Sequence, residues 1–200
     1  MIQTNDKQEK IRKIAVTVPA AILLLALYMI IFGFSAQDAE QSGSLSLRIS
    51  ESAVRFLNAF VGGGWSQAFK EDLALYFEHP IRKLAHFSEY ACMGILVYLV
   101  WSPWVRQRKK LYWLVVLWVF VSGAFDEFHQ LFVPGRYCSF ADVCLDTAGG
   151  AFGLLMCLTA RRIRTRRRRK FTATKSADEV KSAGSGHADD ESLPDQDRVH

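Results

Sequence analysis

The sequence predicts an all-α fold, a polytopic membrane four-helix bundle with short amphipathic outer helices and a disordered C-terminal tail. Three observations carry this. Four apolar runs, 14–34, 81–101, 111–125 and 143–160, read as transmembrane helices, since a helix needs ~20 residues to cross a bilayer core of ~30 Å, and the third and fourth run into polar outer ends. Lys and Arg gather on alternate connections. The last thirty residues lose nearly all aliphatic side chains beyond Ala, which removes the means to bury a core.

Residues 1–13 form a short N-terminal segment carrying Lys7, Lys10, Arg12 and Lys13. The first run, Ile14 to Phe34, holds no charge. A secretory signal has an apolar region of only ~7–15 residues, so this longer run reads as an uncleaved anchor, even with the weak small-residue site at Gly33-Phe34-Ser35.

The segment 35–80 repeats apolar residues at helical spacing. Leu45, Ile49, Ala53, Phe56, Leu57 and Phe60 form one stripe, with Arg48, Glu51 and Arg55 on other faces; Gly62-Gly63-Gly64 interrupts it, and Trp65, Phe69, Leu73 and Phe77 resume it. Two short amphipathic helices on the outer membrane surface, or over the mouth of the bundle, fit this pattern, as does a compact cap with no ligand role. His79-Pro80 then opens the second span, with Pro at a tolerated first-turn position.

Orientation follows from the short flanks. Four basic residues precede the first span, Arg106, Arg108, Lys109 and Lys110 lie in the 102–110 turn, and eight lie between Arg161 and Lys170, whereas the 126–142 connection has only Arg136. The positive-inside rule places both termini in the cytoplasm and 35–80 and 130–141 outside the plasma membrane, with Trp101, Trp104 and Trp113 as anchors at the cytoplasmic interface.

Cys92 and Cys157 fall within helices as small apolar residues. Cys138 and Cys144 lie on the outer side, and they pair only if the fourth helix begins after Cys138. The basic run 161–170 suits anionic lipid, at ~1 kcal/mol per charge, or a stop-transfer role; nucleic acid is not expected as a partner. Residues 171–200 read as a disordered cytoplasmic tail.

The informative stretch is 126–146, where Asp126-Glu127-Phe128-His129-Gln130, Pro134-Gly135-Arg136, Asp142 and Asp146 sit between two apolar runs. Ionisable groups at membrane depth are costly, so they point to a functional site. Counting 1.5 Å per residue from the cytoplasmic ends puts His86, Asp126 and Asp146 all roughly 21–22 Å up, Glu89 about 18 Å, and His129 and Asp142 about 27 Å. Helical phase collects them further. Arg82, His86, Glu89, Tyr90 and Met93 share one face of the second span, Asp126, His129 and Gln130 one face of the third, and Asp142, Asp146, Gly149 and Gly153 one face of the fourth. The glycines below the aspartates admit another helix closely, so this stripe faces protein. Glu127 points about 100° away from Asp126 and is expected to reach toward the interface, and Tyr90 and Met93 read as packing residues.

These residues resemble the VanZ-like family of integral membrane proteins. The resemblance rests on Arg82-Lys83-x-x-His86-Phe87-x-Glu89-Tyr90, on Asp126-Glu127-x-His129-Gln130 with Pro134-Gly135-Arg136, on Asp142 with Gly149, and on Phe34-Ser35-Ala36-Gln37, over about 14–160. Two positions depart, Asp146 where Asn is expected and Cys138 where a Gly-like residue is usual. The family takes its name from reduced susceptibility to the glycopeptide antibiotic teicoplanin, and the resemblance extends that expectation to this chain.

Three readings of the polar nest follow. In the first, Arg82, Lys83 and Arg136 at the outer rim hold the phosphate of a membrane lipid or lipid-linked cell-wall precursor, with His86, Glu89, Asp126, Glu127, His129, Gln130, Asp142 and Asp146 completing a binding site. In the second, His86, Glu89, Asp126 and His129 are catalytic, and with Asp142 and Asp146 they ligate a divalent metal whose activated water attacks a lipid head group. No His-Glu-x-x-His motif, Gly-rich phosphate loop or Ser nucleophile elbow accompanies them. In the third, the charges neutralise one another and only fix the bundle geometry as a scaffold.

Overall fold

The computed structural model describes residues 2–185, and every regular element among them is a helix. In chain order these are α1 (Ile2–Ser35), α2 (Ala39–Phe60), α3 (Gln67–Trp101), α4 (Arg108–Gln130) and α5 (Phe140–Ser185). Four contain segments long and apolar enough to cross a membrane, Asn5–Ser35, Gln67–Trp101, Arg108–Gln130 and Phe140–Thr172. The chain divides into two compact units, Met1–Cys157 and Leu158–His200. In the second, the side chains of 161–170 are exposed throughout. Helix continues through Ser185, into the segment whose composition predicts disorder; Lys, Ala and Glu there are good helix formers even without a core. The remainder of that tail lies outside the described residues.

The first unit is held along two unlike seams. At the α3–α5 seam the backbones touch. A Cβ on Gly153 would collide with the Ala91 carbonyl, one on Gly149 with the Phe87 carbonyl, and one on Gly94 with the Gly150 carbonyl. The predicted close approach below the aspartates is therefore present, and Met93, Val97, Val115 and Val119 fill the core beside it. At the α1 seam, contact runs through side chains. Thr17 Oγ1 donates to Val100 O at 3.3 Å and accepts from Trp104 Nε1 at 2.8 Å, and Tyr28 OH meets Ser122 Oγ at 2.5 Å. Much of α1 is left bare: Leu25 and Met29 are 65% and 71% exposed, as a lipid-facing surface requires.

The outer segment differs from its expected form. α2 is as predicted one helix, capped by Asp38, which accepts from Gln41 N at 2.7 Å, and ended by Gly62, Gly63 and Gly64, all at positive φ. It packs on α3 through Ser46, Ser50 and Val54, with Ser50 Oγ donating to Ala74 O at 2.5 Å, while Phe56 and Phe60 of the apolar stripe stay outside. The second amphipathic segment is not a separate helix. It begins α3 and continues through Pro80, which therefore lies inside the helix rather than at its first turn. Pro80 removes one backbone donor, and the anchors at Ala74 and Glu78, which accepts from Ser46 Oγ at 3.0 Å, hold the helix on its N-terminal side.

Candidate functional site

α3, α4 and α5 bring the predicted polar residues to one end of the first unit, where the loop between α4 and α5 and the C-terminal end of α1 close over them. A cavity of about 350 Å³ opens there, lined on one side by Arg82, Lys83 and His86 and on the other by Glu127, Gln130, Arg136, Asp142 and Asp146. His79, Tyr137 and Ser139 complete its mouth; sequence reasoning had not singled these out.

Each rim cation has a local partner. Lys83 Nζ lies 2.9 Å from Asp142 Oδ1, a half-exposed pair that ties α3 to α5. Arg82 stays on its own helix, 3.8 Å from Glu78 and 3.2 Å from His79 Nδ1. Arg136 donates to Gln37 O at 3.3 Å and Phe34 O at 3.4 Å, placing a cation at the carbonyl end of α1, where the helix dipole favours it. Burial lowers the Arg136 pKa from its ordinary value, and the like charge of Arg82 adds to this. The arrangement concentrates positive charge in a partly dry mouth.

Glu127 corrects its expected position. It is buried, and its Oε2 accepts from Ser139 N at 2.7 Å, so it ties the end of α4 to the start of α5 instead of reaching toward an interface. Asp146 is also buried, against Gly123 and Tyr90, and its Oδ1 has no hydrogen-bond partner. Asp126 accepts from Gln130 Nε2 at 3.2 Å through Oδ2, while its Oδ1 is unpartnered. Ser35, fully buried at the end of α1, lies beside it, setting a hydroxyl against the Asp126 carboxyl. Its place in Phe34-Ser35-Ala36-Gln37, where the apolar run ends, was the signal for it. His129 stacks on Phe32, centroids 4.7 Å apart, and its Nε2 makes no hydrogen bond.

The family model described as VanZ/LLP1 matches residues 20–161. The chain belongs to the VanZ/LLP1 family. With its four long apolar helices it is a multi-pass membrane protein of VanZ-like type. No curated protein and no solved structure matches it.

The metal arrangement considered for this VanZ-like nest is not assembled. Among the described residues, no three His, Cys, Asp or Glu side chains converge as a metal site. The reason is partition. His86 lines the polar cavity with Asp142 and Asp146 and also the wall toward α2, where Glu89 lies 3.8 Å from it; Asp126 lines a separate apolar cavity; and His129 packs on α1. Cys138 and Cys144 are free thiols.

A second cavity of about 250 Å³ adjoins the polar one. It shares Arg82, His86 and Arg136 with it, and its other walls are largely apolar, including Phe34, Leu45, Ile49 and Ile81. Cationic mouth and apolar slot thus meet at the same three side chains.

Proposed function

We propose that this VanZ-like protein binds the phosphate-bearing head of an envelope lipid, or of a lipid-linked cell-wall precursor, at the outer face of the plasma membrane, and that the effect on glycopeptide susceptibility expected of the family acts through such binding. The observation that supports this reading is the shared wall of the two cavities. A molecule with an anionic head and an apolar chain can place the head against Arg82 and Arg136 while the chain follows Leu45, Ile49 and Ile81 between α2 and α3. The outward direction rests on charge in the sequence: the segment up to Lys13, the 102–110 turn and Arg161–Lys170 hold the basic flanks, whereas the connection that carries the site holds only Arg136. Arg161–Lys170 then faces anionic lipid of the inner leaflet.

Lipid retained through detergent purification, identified by mass spectrometry, tests the proposal. Arg82→Gln is the informative variant, because Arg82 makes its polar contacts only along its own helix, whereas Arg136 also fastens α1. Retention of phosphate-bearing lipid is expected to fall about ten-fold or more, the worth of one charge-assisted contact. Equal retention by wild type and variant would remove the reading.

A further inference from the structure

The polar cavity extends beyond the wall it shares with the apolar slot. Arg82, His86 and Arg136 line both spaces, whereas Glu127, Asp142 and Asp146 line only the polar one of the two. Passing from the slot into the cavity, a ligand therefore meets apolar side chains first, then cations, then carboxyls. Glu127 and Asp146 are buried, so the carboxyl within a ligand's reach is that of Asp142, whose side chain is 35% exposed. Lys83 Nζ occupies its Oδ1 at 2.9 Å, which leaves the second oxygen for another donor. Lys83 follows Arg82 directly on α3 and lines the same cavity, so the carboxylate and the proposed phosphate position share one mouth.

We propose that the preferred occupant, resting on the phosphate reading above, is a zwitterionic phospholipid whose head carries a primary amine beyond its phosphate. Such a molecule presents chain, phosphate and ammonium in the same order as slot, cations and carboxyl. An ammonium brings three N–H donors and a carboxylate only accepts, so the two are complementary at Asp142. The Lys83–Asp142 pair does not stand in the way. A half-exposed pair of this kind contributes little, and Lys83, a compact charge on a flexible stem, turns to the phosphate as the ammonium takes its place. Every charge keeps a partner in that exchange. Other heads match less well. A phosphomonoester leaves the carboxyl unused, a phosphoserine sets a second carboxylate against it, a phosphoglycerol offers hydroxyls without positive charge, and a phosphocholine offers the charge with no N–H to donate.

The full chain in detergent, incubated with an equimolar mixture of phosphatidylethanolamine, phosphatidylcholine, phosphatidylglycerol and phosphatidic acid of identical acyl chains, is passed through gel filtration, and the lipid it keeps is quantified by mass spectrometry. Phosphatidylethanolamine is expected at about ten times the amount of each other lipid, the worth of one charge-assisted contact. In Asp142→Asn, phosphatidylethanolamine and phosphatidylglycerol should be retained equally. The wild-type ranking decides alone if that variant does not fold. Phosphatidylcholine kept as well as phosphatidylethanolamine would overturn the primary amine, an excess of phosphatidylglycerol or phosphatidic acid would overturn the zwitterion, and an ethanolamine preference that survives Asp142→Asn would overturn the assignment to Asp142. Arg82→Gln should lower all four lipids together. Retention that falls in Arg82→Gln but shows no head preference in wild type would sink the amine inference and leave the phosphate reading standing, whereas equal retention by wild type and Arg82→Gln would remove both.

Discussion

The α3–α5 seam and the α1 seam join helices of similar apolar character in opposite ways. At the first, glycines bring backbone against backbone beside the polar cavity. At the second, α1 is joined to its neighbours through Thr17, Tyr28 and Arg136, and a cavity of about 620 Å³, lined by Tyr28, Ile31, Leu117 and Val121 among others, lies beside it. In lipid there is little hydrophobic drive between helices, so packing and hydrogen bonds decide which pairs close tightly. The difference separates two parts of the bundle: α3, α4 and α5 pack as the cradle of the polar residues, and α1 lies against them through side chains.

The sharpest way to break that contrast is to place the same side chain on the glycine seam and on the bare face of α1. Gly153→Val drives a branched carbon into the Ala91 carbonyl, and no rotamer relieves a clash made at Cβ. Loss of about 3 kcal/mol or more is expected, the upper end of overpacking costs, seen as little or no monodisperse protein and a collapsed melting transition. Gly33→Val on α1 meets nothing within 4 Å and should melt close to wild type. If both variants behaved alike, the glycines would not be what brings α3 and α5 together.

A smaller and opposite effect is expected inside the cradle. Asp146 is buried at 2%, with one oxygen unpartnered and no cation within ion-pair distance among the described residues. Asp146→Asn keeps the shape and removes a buried acid, so stability should rise by about 1–3 kcal/mol, read as an increased melting temperature in detergent. A fall instead would mean that the carboxyl holds a cation or a proton that the fold needs, and would move the cradle from a structural to a chemical role.

Much of this organisation was legible in the chain. The four apolar runs gave the spans, the common depth of His86, Asp126 and Asp146 gave the polar level, and Gly149 with Gly153 marked the close face. The packing face of α2 was not legible. Its apolar stripe, Leu45 to Phe60, was the natural candidate, yet the helix packs through Ser46, Ser50 and Val54. In water an apolar stripe identifies the buried face; against lipid it does not, and small or hydroxyl residues take over that task. Glu127 was misplaced for a related reason. Helical phase turned it away from Asp126, but it carried no hint that the chain after α4 returns Ser139 N to meet it. The separation of Glu89, Asp126 and His129 from the cavity that His86 shares with Asp142 and Asp146 is likewise a property of tilt and loop path, which depth counting does not contain.

The smallest expected effect probes what keeps α1 in place. Trp118 Nε1 donates to Tyr28 OH at 2.9 Å, and Ser122 Oγ donates to Trp118 O at 2.9 Å, so the 2.5 Å contact between Tyr28 and Ser122 must use the tyrosine hydrogen. The three groups therefore close a ring of hydrogen bonds between α1 and α4, with every hydroxyl hydrogen committed. Tyr28→Phe removes two of the three bonds at nearly constant volume. Bonds of this kind between membrane helices are worth about 0.6 kcal/mol on average, so the loss should be about 1 kcal/mol, measurable as a modest drop in melting temperature. Because Tyr28 and Trp118 also line the 620 Å³ cavity, the same variant should raise labelling of its walls by a photoactivatable alkane such as diazirine-bearing hexadecane as α1 loosens. A drop in stability with labelling unchanged would show that α1 is held elsewhere, at Thr17 and Arg136, and that the hydroxyl ring only trims the fit of the wall.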